Sequence, residues 1–251
     1  MQTLKLKRLL LQFYPDHPEE IKYFKQHFYR YLKTIKLIPP EYLSGKTVVD
    51  AGCIPGHMTS SLKALGAKEV IGLDYDPQRF GLGQKLQDRG LKIIKCHLGQ
   101  EPLPLPANYA DCVIFTEVIE HLSNNPISVL KELRRVLKTG GRLIVTTPNA
   151  GNFANLLRQA AGKSTDPRLL RLGEKPQQQH HREYRLSELA ALLTGAGFKI
   201  KKTAYIPGTE WAIIKKSFPS PLPYLLSCIY ALVPLAIPNV RSYLFVKAEK
   251  I

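Results

Sequence analysis

Cysteine is scarce. Cys53, Cys96, Cys112 and Cys228 are spread over 251 residues with no C-x-x-C pair, which excludes the disulfide framework of a small secreted scaffold. A reduced compartment and packing roles for the thiols follow. Acids are also few, 20 against 36 lysines and arginines. The net charge of +16 and sequence pI near 9.7 favour anionic partners: nucleic acid, an acidic lipid surface or phosphorylated small molecules. No secretory leader is legible, because Gln12 and Pro15 interrupt the Leu9-Leu10-Leu11 run. A cytoplasmic protein is expected. No basic run interleaves with aromatics and no RNA module is recognisable. The dinucleotide spacing G-x-G-x-x-G is missing as well.

What the chain does have is Thr47-Val48-Val49-Asp50-Ala51-Gly52-Cys53-Ile54-Pro55-Gly56-His57-Met58, an apolar strand, a glycine turn and the start of a helix running to about Leu65. The helix aims its free N–H groups back at the turn, which makes a cradle for a small polar ligand. Asp50 repels phosphate and attracts an amine. The ligand that fits is S-adenosylmethionine, which has an amine, a carboxylate and no phosphate. A second apolar run, Val70 to Asp74, ends in another acid, suited to accept from both ribose hydroxyls.

Val48 to Gly56, Asp74, and Asp111 to Leu122 together resemble the successive motifs of class I S-adenosylmethionine-dependent methyltransferases over about Thr47 to Phe198, with a weaker tail to Lys247. The resemblance implies a Rossmann-like α/β fold, doubly wound, with a seven-stranded sheet in the order 3-2-1-4-5-7-6 and an antiparallel last strand. It implies cofactor contacts from Asp50, Gly52, Cys53, Gly56, Asp74, Tyr75, Leu98 and Thr116. His97 stands where the family usually has an aspartate for the adenine amino group, so it is either that contact or a loop residue. Ile54 replaces a family glycine. A β-branched residue before proline is held extended, so the turn must take another shape.

The composition, 44% hydrophobic, supports one domain with appendages. Residues 1–44 form a helical cap, with helices expected over Leu4 to Phe13 and Glu19 to Ile38. Ile21, Phe24, Phe28, Tyr31, Leu32 and Ile35 share one face of the second helix, and Lys22, Lys25, Arg30, Lys33 and Lys36 fall mostly elsewhere. That helix lids the cofactor pocket or lies on a membrane. Residues 45–251 are the methyltransferase domain. Within it a helix is expected over Asp76 to Gly90, and strands over Leu91 to Cys96, Ala110 to Thr116, Arg142 to Thr147, Phe198 to Tyr205 and Arg241 to Val246. Strands alternating with helices argue a parallel sheet, whose ligands sit at the carboxyl ends.

Two insertions interrupt the rhythm, a polar lid over residues 150–183 and an apolar stretch over 211–240. Ser217 to Val240 carries no charge for 24 residues, long enough to span a bilayer. Five prolines within it argue against a spanning helix. It either packs over the substrate pocket or a dimer contact, or dips into an anionic membrane surface.

Glu117, Glu120 and His121 form E-x-x-E-H, and a helix would put all three side chains on one face. The pattern resembles the metal site of Hen-type small-RNA 2′-O-methyltransferases and, more loosely, the ubiquinone-pathway O-methyltransferases. It implies Mg2+ or another divalent cation on Glu117, Glu120, His121 and His181 (or His180). Without metal, His121 is the catalytic base, Glu117 sits near the cofactor and Glu120 orients the imidazole. A structural histidine is the third reading. The functions that remain are O-methylation of a small or lipid-like acceptor, RNA 2′-O-methylation, and a degenerate fold kept as a scaffold.

Overall fold

The computed structural model describes residues 18–123, 125–166, 179–208 and 232–251. The helix expected over Leu4 to Phe13, the middle of the lid and most of the apolar insertion lie outside them. No described helix is long and apolar enough to cross a membrane.

Seven strands form one sheet, β1 (Thr47–Ala51), β2 (Glu69–Asp74), β3 (Lys92–Lys95), β4 (Ala110–Thr116), β5 (Leu137–Pro148), β6 (Phe198–Ile206) and β7 (Tyr243–Lys250). Their order is β3-β2-β1-β4-β5-β7-β6, as the resemblance implies. The first five run parallel, and β7 is antiparallel to both neighbours. Both faces are covered, so the central strands read as continuous apolar runs rather than alternating ones.

On one face α1 (Pro18–Leu37), α2 (His57–Ala64) and α3 (Leu82–Gln87) bury Phe24, Leu62 and Leu86 against Val48, Ile114 and Phe245. On the other, α4 (Pro126–Val136) and α6 (Leu186–Gly195) bury Leu130, Leu133 and Leu189 against Val49, Phe115 and Val145. The described part of the cap, residues 18–44, therefore shares a core with the sheet. Another helix, α5 (Phe153–Ala160), follows β5, with Asn152 capping its first turn through Asn155 N.

Three expectations shift. The helix expected over Asp76 to Gly90 shortens to a 3-10 turn, Arg79–Gly81, and α3, because Gly81 takes a left-handed conformation at φ +65°. β5 is longer than Arg142 to Thr147, since its bulged start pairs Leu137 with Ala110. The last strand begins at Tyr243 and runs on to Lys250 against β5 and β6.

Candidate active site

The first parallel strands deliver their carboxyl ends to one edge, and the turn after β1 is built there. Gly52 N and Cys53 N both donate to Leu73 O, at 2.8 and 3.1 Å. Gly52 and Gly56 stand at φ +83° and +92°, a region open to glycine and strained for other residues. Asp74 holds the turn from below, accepting from Ile54 N on one oxygen and Asp76 N on the other, each at 3.0 Å. Ile54 thus stays in the loop by donating its N–H to the acid. Burial raises the Asp74 pKa, and these two bonds oppose the rise.

Asp50 lies deeper, 1% exposed, with Thr59 Oγ1 donating to it at 2.6 Å. Burial, reinforced by nearby Asp74, pushes its pKa up to about 7 despite the Thr59 bond. It does not line the cleft above the turn. Tyr75 and His97 come together beyond β2 and β3, with ring centroids 6.0 Å apart, and Leu98 packs partly buried against the core. Glu101, which sequence reasoning passed over, accepts from His97 N at 2.9 Å.

The cleft over the turn holds about 480 Å3, its open mouth included, within the usual range of small-ligand sites. One wall is Gly52, Cys53, Gly56, Thr116 and Glu117. The other is α1, which contributes Tyr23, Arg30, Tyr31 and Thr34. Arg30 does not lie on the solvent face with the lysines. It is 7% exposed, its guanidinium 2.8 Å from Glu117 Oε2 and over the rings of Tyr31 and Tyr243. Burial works against its charge, but Glu117 and the surrounding tyrosines outweigh it and hold the pKa well above the ordinary arginine value. Nearby His57 is kept neutral chiefly by burial, its pKa lowered to about 3, and it stacks on Phe24 at 4.8 Å. The spacing of Tyr23, His27, Arg30 and Thr34 marks one helical stripe and was the available signal for this wall.

The E-x-x-E-H segment is not a helix presenting one face. Glu117 takes φ +57°, unusual for a residue with a side chain, and only Ile119–His121 forms a 3-10 turn. Consecutive threonines of β5, whose side chains leave opposite faces of the sheet, separate the two acids. Thr146 Oγ1 donates to Glu117 at 2.8 Å and Thr147 Oγ1 to Glu120 at 2.9 Å. Glu117 therefore belongs to the cleft and Glu120 to a different group. Glu120, His121 and His180 bring one potential ligand atom each within 4.8 Å of one another. Neither Glu117 nor His181 is in that set. The backbone explains the histidine: His181 N and Arg182 N both bond Glu120 O, at 2.7 and 3.3 Å, which brings His180 over the 3-10 turn. Burial, then the charge of Glu117, raises the Glu120 pKa well above the usual carboxylate range, against the Thr147 bond.

The residues present suit the cofactor implied by the resemblance. An ion pair of Arg30 and Glu117 offers one charge for a carboxylate and one for an ammonium, and Asp74 is bonded to the turn from its other side, whereas Tyr75 and His97 are not among the residues lining the cleft.

A family model described as a methyltransferase domain matches residues 23–203. A probable S-adenosylmethionine-dependent methyltransferase of Mycolicibacterium smegmatis is 31% identical over 189 residues, 75% of this chain and 64% of that protein. The chain thus spans less than two thirds of that relative. A ubiquinone biosynthesis O-methyltransferase of Paraburkholderia phytofirmans is 29% identical over 194 residues, covering 74% of this chain and 79% of that one. Among solved structures, an S-adenosylmethionine-dependent methyltransferase from Archaeoglobus fulgidus superposes with a TM-score of 0.60 at 16% identity, over 91% of this chain and 99% of that one. Another, from Mesorhizobium loti, gives 0.59 at 18%, over 87% and 96%. At those identities the likeness is one of fold.

Proposed function

The chain belongs to the S-adenosylmethionine-dependent methyltransferases, and on that premise we propose that it methylates a hydroxyl oxygen of a small or lipid-like acceptor. The observation that carries the reading is the cleft between the glycine turn and α1, where Arg30 and Glu117 face each other at 2.8 Å. The bound sulfonium supplies an electrophilic methyl group with a good leaving group. The protein's work is then alignment and removal of one proton. Arg30 holds the methionine carboxylate, Glu117 the ammonium, and Asp74 the ribose, its carboxylate still able to accept beyond its two backbone bonds. His121 Nδ1 lies 2.9 Å from Gln179 O, an acceptor, so Nδ1 carries the hydrogen and the lone pair sits on Nε2. That lone pair serves removal of the acceptor proton, either directly as a base or as a ligand to a cation that acidifies the hydroxyl.

Two features support a greasy acceptor. Several relatives carry the name ubiquinone biosynthesis O-methyltransferase. Leu156 and Leu157 of α5 and Leu232, Leu235 and Ile237 are exposed, and Asn149, which accepts from Gly151 N, donates to Asn239 O and Arg241 O, tying the loop before α5 to the chain just after Ile237. Calorimetry with S-adenosylhomocysteine is expected to show one site per chain, and methyl-labelled cofactor with hydroxylated lipid extract to leave label in the organic phase. No heat at near-millimolar ligand would leave a scaffold protein, and label in RNA would move the acceptor class.

A further inference from the structure

Beside the cleft, the Glu120–His121–His180 group has the construction of a metal centre, and it differs from the set that the sequence resemblance implies. Glu120 is 1% exposed and His180 5%. Glu120 Oε2 is satisfied by Thr147, but Oε1 is buried with no hydrogen-bond partner among the described residues. A buried carboxylate oxygen is costly to leave unpaired and calls for a cation. Both histidines are oriented from behind. His180 Nδ1 is 3.1 Å from Glu183 Oε1, and His121 Nδ1 faces Gln179 O. A carboxylate or carbonyl behind Nδ1 puts the lone pair on Nε2, and the same outer contact fixes metal-binding imidazoles elsewhere. The rings stand edge to face, 4.8 Å between centroids.

We propose that Glu120 Oε1, His121 Nε2 and His180 Nε2 bind one divalent transition-metal ion. Two nitrogens and one carboxylate suit zinc, manganese, cobalt or iron, whereas magnesium prefers an all-oxygen shell. Glu117, committed to Arg30 and Thr146, is not a ligand. Donors about 2.0–2.2 Å from an ion lie roughly 3–3.5 Å apart, so ligand atoms within 4.8 Å close by about 1 Å. Three ligands leave positions open for acceptor oxygens, whose protons a metal makes easier to remove. Metal binding stands apart from the transfer reading and is measured without cofactor.

The test titrates the full chain, stripped with chelator, with Co2+. One equivalent is expected to give visible d–d absorption that Zn2+ abolishes and that Mg2+ in large excess leaves. His180→Asn is expected to weaken binding by about a hundredfold or more and Glu183→Gln by about ten- to a hundredfold. His181→Asn and Glu117→Gln keep it. His180→Cys guards against a variant that merely unfolds, since it should retain the ion and add a thiolate-to-cobalt charge-transfer band. Absence of cobalt absorption at millimolar Co2+ with a native circular dichroism spectrum overturns the proposal. So does displacement by Mg2+, or loss of binding in His181→Asn with retention in His180→Asn. Retained S-adenosylhomocysteine binding alongside any of these results leaves the transfer reading intact.

Discussion

Arg30 shows how one residue can be hidden by its neighbours in sequence. It sits among lysines on a helix that reads as half basic, yet it turns inward, because a guanidinium can stack on Tyr31 and Tyr243 while pairing with Glu117. A lysine at the same place has no plane to stack. Removing one member of a buried pair leaves the other uncompensated, at a cost of about 3–5 kcal/mol. Arg30→Met is therefore expected to lower stability by about that amount in a urea melt and to weaken S-adenosylhomocysteine binding at least about tenfold. Adding Glu117→Gln should restore most of the stability but not the affinity. A double variant as unstable as the single one would remove the pair from the account.

At the scale of elements, the glycine turn is the clearest case of local sequence answering to a distant neighbour. A Cβ on Gly52 would stand 2.3 Å from Val118 Cγ2, and the residue is at φ +83°. The turn and the start of the 3-10 segment therefore pack as one piece. Gly52→Ala is expected to lose cofactor binding and to lower the melting temperature, with about 1–2 kcal/mol from the left-handed backbone alone and the clash added. Val118→Ala in the same chain should relieve the clash and leave the backbone cost, so partial recovery is the outcome to look for. Full recovery would mean that the backbone conformation imposes no penalty. The strands, the turn and α2 were legible from apolar runs and glycine placement. The E-x-x-E-H segment was not, because its spacing favours a helix while Thr146 and Thr147 draw the two acids apart.

For the whole molecule, the buried acid beneath the turn ties stability to pH. Asp50 has a pKa of about 7 in the folded chain against 3.8 for an ordinary aspartate. Between those values the folded state keeps a proton that the unfolded state gives up, so this group contributes a stability that is full below about pH 4 and lost as pH rises to 7. The amount is on the order of 4 kcal/mol. Asp50→Asn should flatten that part of the curve, seen as native and variant stabilities that converge or cross between pH 4.5 and 7.5 in urea denaturation. Parallel curves would show that Asp50 titrates normally.

Apolar strands, their punctuation by glycine and the acids at two strand ends determined the fold and the region of the cleft, because period, turn chemistry and the position of a carboxylate are local properties of the chain. Which side chains share a wall was decided only in three dimensions. Arg30 meets Glu117 across 87 positions, and His180 rather than His181 joins Glu120 and His121, since two backbone bonds to Glu120 O set which histidine lies over the turn. Partners so far apart are brought together by the packing of α1 and the lid end on the sheet, and no spacing along the sequence encodes them.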